Sequence, residues 1–256
     1  MTGYPVTGRG CNEGGTMKGR VGWLLLAVLA LATSGCAPAL QSNRADLDAR
    51  AKMLTSIALL PPDTKICELS AGGIKEQRDD WCAAGRKNLE KAIIDYLSGK
   101  GVNVKPFKAS ADLEGEVDEV MTLYRTVMES VYTHAYYWQG QNPNFFPDRL
   151  KNFDYSVGSL EKLLKKQKAD GLLLVEASDE ISSAGRKALR VVQAINPFGV
   201  AARSGTTIVK IALADRKGDI LWDTYFIKSG SYDLRDFDST RDFVKVLLED
   251  FPQEGK

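Results

Sequence analysis

The chain has 256 residues, with 34 Lys+Arg against 33 Asp+Glu, 44% hydrophobic and 26% charged residues. These are globular values, so disordered, collagenous and coiled-coil chains are excluded. A net charge of +1 gives no broad field for nucleic acid, and one histidine excludes a His-rich metal site.

Residues 1–16 are Gly-rich and lack periodicity. Met17 followed by Lys18 is the expected translation start. Residues 21–32, Val-Gly-Trp-Leu-Leu-Leu-Ala-Val-Leu-Ala-Leu-Ala, carry no charge. Twelve residues are too few to span a bilayer as a helix, but they have the length of a signal-peptide apolar region. Lys18 and Arg20 precede it, and Thr33, Ser34, Gly35 and Cys36 follow. This pattern resembles the lipobox of bacterial lipoproteins, with Thr33 where Leu is commoner. The resemblance implies cleavage between Gly35 and Cys36, and acylation of the Cys36 sulfur and its new amino group. Two or more acyl chains hold a protein firmly to a bilayer. Ala37 stands where inner-membrane retention favours Asp, which by the same resemblance implies the periplasmic face of the outer membrane of a Gram-negative bacterium.

The expected organisation is a signal peptide over 1–35, a lipidated N-terminus and tether over 36–52, and one periplasmic α/β domain over 53–256. Cys67 and Cys82 remain after Cys11 and Cys36 are assigned, and an oxidising compartment favours their pairing. The loop closed would gain about 3 kcal/mol in the chain-entropy model. A zinc or redox pair finds neither C-x-x-C spacing nor histidines nearby.

Leu54–Leu60 reads as a first strand halted by Pro61-Pro62, and 63–80 as a polar loop containing Ala71-Gly72-Gly73. Leu89, Ile93 and Leu97 repeat every four residues and predict a helix over 81–98, stopped by Gly99 and Gly101. Val102–Phe107 predicts a strand, at an edge because of Pro106. Residues 110–131 read as a helix and 139–155 as a loop, and Ser156 or Ser159 caps a further helix through Leu160, Leu163 and Leu164 to Gln167. Gly171–Val175 is an unbroken apolar run, expected of a strand buried on both faces. Residues 206–214 and 220–227 alternate about the turn Asp215–Asp219 and predict a hairpin. Residues 240–251 read as a closing helix. The order β-α-β-α-α-β-β-β-α predicts an α/β (α+β) domain with a mixed sheet of about five strands.

This order, with Ile57–Pro61, Ala169–Val175 and Ala214–Trp222, resembles a group of periplasmic lipoprotein domains. The group includes the curli-secretion-channel lipoprotein, the lipoprotein activator of peptidoglycan synthases and the N-terminal domain of the translocation protein TolB. Its motifs are structural, so function does not transfer with the fold.

No G-x-S-x-G, H-E-x-x-H, Walker A or EF-hand pattern occurs, so neither catalysis nor a cofactor or metal is expected. His134 reads as a packing or interface residue. Nine aromatics fall between Tyr124 and Tyr155. Tyr136, Tyr137, Trp138, Phe145 and Phe146 among them suit a partner protein or a glycan, or form a small core of their own. Residues 191–202, containing Ile195 and Phe198, are uncharged and flanked by Arg186, Lys187, Arg190 and Arg203. They suit a helix packed on the sheet, an oligomer or membrane contact, or a pore hairpin, though Pro197 and the lack of alternation disfavour the last. The expected role is a membrane-tethered, non-enzymatic binding or assembly module with an envelope partner or a second copy. A self-assembling secretion-channel subunit is the alternative.

Overall fold

A computed structural model describes residues 40–136, 146, 148–151, 153–195, 204–230 and 232–252. Eight strands form one mixed sheet. They are β1 Leu40–Asn43, β2 Ile57–Leu59, β3 Asp63–Leu69, β4 Lys75–Gln77, β5 Val104–Pro106, β6 Gly171–Ser182, β7 Thr206–Asp215 and β8 Ile220–Ser229. The helices are α1 Leu47–Ala51, α2 Asp79–Gly99, α3 Glu114–Val131, α4 Asp148–Lys151, α5 Glu161–Gln167, α6 Ala184–Ile195 and α7 Phe237–Leu247. A π-helical turn, Tyr132–Tyr136, continues α3. Among the described residues no helix is long and apolar enough to cross a membrane.

The main path of the sheet runs β1-β8-β7-β6-β2-β5. Strand β6 is its spine. Its first residues pair in parallel with β2 on one side, while β7 pairs antiparallel along the other. Beyond Leu173 the β2 side passes to β3, from Asp63↔Glu176 to Leu69↔Ser182. Pro61 and Pro62 lie between β2 and β3 and lack amide donors, so the ladder stops there and resumes at Asp63. One edge of β6 therefore carries two short strands end to end.

Period-two alternation along β6 supplies both faces. Leu173, Val175 and Ala177 join one core with Leu89, Ile93 and Leu97 of α2 and Phe243, Val244 and Leu247 of α7. Leu172 and Leu174 join the other with Met121, Tyr124 and Met128 of α3 and Leu163 and Leu164 of α5. The result is three layers, helices on both faces of the sheet. Helix α2 lies very close to β3 at Gly85, where an added Cβ would come within 2.5 Å of Ile66 Cδ1. At the β7–β8 turn Gly218 has φ +81°, and a Cβ there would strike the Gly158 carbonyl.

Three strands depart from the expected order. The tether 36–52 contributes β1 and α1: Leu40–Asn43 covers the β8 edge in register Leu40↔Tyr225 to Asn43↔Trp222. The polar loop 63–80 contributes β3 and β4, which pair with each other from Cys67↔Gln77 to Leu69↔Lys75. Charged residues in β3 and β4 hid this hairpin, because exposed edges tolerate them. Pro106 does end an edge strand, β5.

The expected Cys67–Cys82 disulfide is absent from this structure, which holds both as buried free cysteines. Strand alternation gives the reason. Ile66 packs towards α2 and shares its core with Cys82, whose sulfur accepts from the Ile66 amide at 3.1 Å. Cys67, the next residue on β3, faces the other way. Burial pushes the Cys67 thiol up.

Because Leu173 and Leu174 serve opposite cores, Leu173→Ala and Leu174→Ala should each lower unfolding free energy by about 2–5 kcal/mol, measured by denaturant titration. A loss below about 1 kcal/mol at either position would contradict a two-faced spine.

Candidate functional site

The aromatic stretch divides sharply. Tyr124 and Phe153 lie inside the second core, and Tyr136 and Tyr155 pack against it. Tyr132 stacks on Tyr225 with ring centroids 4.2 Å apart, and Phe153 meets Tyr155 edge-on at 5.0 Å. These residues build the domain. Tyr136 in particular is no surface anchor. Its hydroxyl bonds Ser42 of β1 and donates to Asp223 Oδ2 of β8 at 3.1 Å. Phe146 is 54% exposed, and its amide donates to the His134 carbonyl at 2.6 Å. Tyr137, Trp138, Phe145 and Phe198 lie outside the described residues, as do Gly35 and Cys36. Ile195 is the last residue of α6.

The Ser42–Tyr136–Asp223 cluster joins the edge strand, the sheet and the turn after α3. Asp223 is wholly buried on β8, opposite Ser42 in the β1 register. Burial pushes its carboxyl up to about 8, against the pull of the hydrogen bonds from Tyr136 and Ser42. Burial, and then the neighbouring Asp223, raise the Tyr136 phenol as well. A second buried carboxyl, Asp179 on β6, accepts from Thr207 Oγ1 at 2.8 Å and from the Leu234 amide at 3.1 Å. Burial raises it to about 6. It ties the segment before α7 to the sheet. With no exposed surface at Asp223, no substrate can reach that carboxyl, so the cluster is a device of cohesion. Sequence reasoning passed over Asp223, although a lone carboxylate inside Leu221–Ile227 was its signal.

The surface feature that stands out is α6. The sequence AGRKALRVVQAI places Ala184, Ala188, Val191 and Val192 in one sector at 100° per residue, with Arg186 and Arg190 in the opposite half. In a helix packed on its own body the apolar sector faces inward. Here Arg186 is buried, and its Nη1 donates to the Ser70 carbonyl at 3.1 Å. Val191 and Val192 are 63% and 66% exposed, and Ala184 and Ala188 are exposed beside them. The helix is turned inside out relative to the domain, so its packing on the sheet does not consume its apolar face. The basic residues expected to flank an apolar loop, Arg186, Lys187 and Arg190, belong to this same helix.

An open depression of about 500 Å³ beside His134 is lined by Arg125, Glu129, Thr133, Glu176 and Lys210. Lys210 is paired with Glu176 at 3.1 Å and with Glu129 at 3.3 Å. Arg125 is held by Asp63 at 2.7 Å, so both cations of the groove are engaged in ion pairs. Among the described residues no group of three His, Cys, Asp or Glu side chains is placed to hold a metal. No protein-family model matches the chain, and no curated protein matches it.

Asp223 gives the fold a pH signature. An unfolded Asp ionises near pH 4, whereas the buried one keeps its proton to about 8, so the folded state holds more protons between. Stability is full below about pH 4 and falls as pH rises towards 8, by at most about 1.4 kcal/mol per pH unit. Asp179 adds to this slope only up to about pH 6. Melting temperatures of Asp223→Asn should therefore flatten between about pH 6 and 8, while Asp179→Asn leaves that window sloping. An unchanged slope in Asp223→Asn would refute the assignment.

Proposed function

We propose that the chain is a lipoprotein of the outer membrane, held by acyl chains on Cys36 with its body in the periplasm. The body works by non-covalent binding in an envelope assembly, without catalysis. The observation that carries this is the order of features before the body. A basic pair, Lys18 and Arg20, precedes a short apolar run, and Thr33-Ser34-Gly35-Cys36 follows it directly. Only three residues, Ala37, Pro38 and Ala39, separate that thiol from Leu40, the first residue of β1, a connection of four steps. At 3.3–3.6 Å per residue the connection spans at most about 14 Å. An anchor so close to an edge strand keeps the body at the membrane surface, where a binding module meets membrane-bound partners at high effective concentration.

One surface feature supports a contact role: the outward apolar face of α6. Exposed apolar groups of this kind mark contact surfaces more often than isolated side chains do.

Replacing Cys36→Ser should abolish acylation, leave the precursor uncleaved at Gly35 and change both electrophoretic mobility and membrane fractionation. A product of unaltered size and attachment would end the proposal. Light scattering of the detergent-solubilised protein separates the two modes of assembly. A small, defined species fits a binding module, whereas a large closed ring would replace that reading with a secretion-channel subunit.

A further inference from the structure

We propose that the outward face of α6 lies on the bilayer itself, in contact with anionic phospholipid headgroups, and so fixes the orientation of the body on the membrane. This inference rests on the anchoring proposed above.

The first ground is the reversed amphipathicity of α6. Its cationic side is used to hold it to the domain, through Arg186 and the Ser70 carbonyl. Its apolar side, with Ala188, Val191 and Val192, is left in solvent. Lys187, about 40° round the helix from Val191, is exposed beside that sector. Lys187 also feels the Asp233 carboxylate, which Arg235 already holds at 2.7 Å. An apolar strip bordered by a basic residue is the pattern of a helix lying in a lipid interface, with aliphatic groups among the acyl chains and the cation at the phosphates. Lys and Arg stems reach from the strip to the headgroups.

The second ground is topology. Helix α6 leaves the sheet at the end where β6 stops at Ser182, β7 begins at Thr206 and β8 stops at Ser229. Thr206 and Ser229 are partners in the register. Strand β1 runs antiparallel to β8, with Leu40 opposite Tyr225, so the chain enters β1 from that same end. Tyr225 lies four residues below Ser229, about 14 Å at strand spacing. It lies five residues above Ile220, about 17 Å from the opposite end. A connection of four steps, at most about 14 Å, therefore reaches the α6 end and falls short of the other.

A second copy is a poorer occupant. A two-fold contact through the apolar sector would bring Lys187, at its border, towards its own counterpart, and like charges across an interface are unfavourable. An anionic lipid surface supplies the opposite sign.

The test uses the acylated protein purified from membranes and reconstituted in vesicles of phosphatidylethanolamine with phosphatidylglycerol. An environment-sensitive fluorophore is attached at Val192→Cys, or at Lys217→Cys on the β7–β8 turn at the far end. Cys67 and Cys82 are buried, so the introduced thiol takes the label. Emission at position 192 should shift to the blue and be quenched by quencher-bearing lipids, while position 217 stays aqueous. Adding Lys187→Ala should lower the docked-to-undocked ratio about fivefold, the effect of one basic residue near an anionic surface. Vesicles of phosphatidylcholine alone should weaken docking in the same direction. Protein that floats with the vesicles but shows equal, aqueous emission at both positions would overturn this inference and leave the anchor intact. A blue shift without lipid quenching, together with a 192–192 crosslink, would overturn it in favour of a second copy. Protein that fails to float would overturn the anchoring proposal as well.

Discussion

Everything in this fold depends on β6 being satisfied on both edges and both faces at once. Its backbone is taken by β7 along one side and by β2 and then β3 along the other. Its side chains feed two separate cores in alternation. Such a strand has no solvent-facing side, which is why Leu172–Val175 carries no polar residue. Polarity enters β6 only farther along, at Glu176, Ser178 and Asp179, where the facing elements supply partners such as Lys210 and Thr207.

The same logic explains the buried carboxyls. Asp223 and Asp179 are each placed where a chain-distant segment must be joined to the sheet. The first meets the edge strand and the turn after α3, the second the segment before α7. Each keeps its proton more readily than an exposed carboxyl, because the alternative is a charge in an apolar interior. The two ends of the sheet differ in kind. At one, Arg50 holds Asp219 at 2.9 Å and also bonds Asp215, fastening α1 to the β7–β8 turn. At the other, α6 offers an apolar surface and the chain comes in from its N-terminal side. The proposed membrane docking uses the open, apolar end and leaves the ion-paired end in the aqueous compartment.

The central strands, the long helices α2 and α3 and the β7–β8 hairpin were legible because apolar periodicity is strong where burial is complete. Edge strands were not. Leu40–Asn43 and Lys75–Gln77 carry polar or charged residues, since half of an edge strand faces water, and no periodicity distinguishes them from a tether or loop. The cysteine pair misled because spacing along the chain says nothing about which face of β3 each thiol occupies. For Tyr136 composition left a contact surface and a small core both open, and only the partner strand, with Ser42 and Asp223, reveals that its hydroxyl is spoken for. In α6 the residue pattern was visible, but its orientation was not. An amphipathic repeat predicts a buried face, and a buried Arg186 with exposed valines is a tertiary fact.

The decisive quantity for the functional account is the intact mass of the protein taken from cell membranes. The account predicts a chain that begins at Cys36 and carries the added mass of a diacylglycerol and a further acyl group. A membrane-derived chain that retains residues before Cys36, or begins there without lipid, would contradict it.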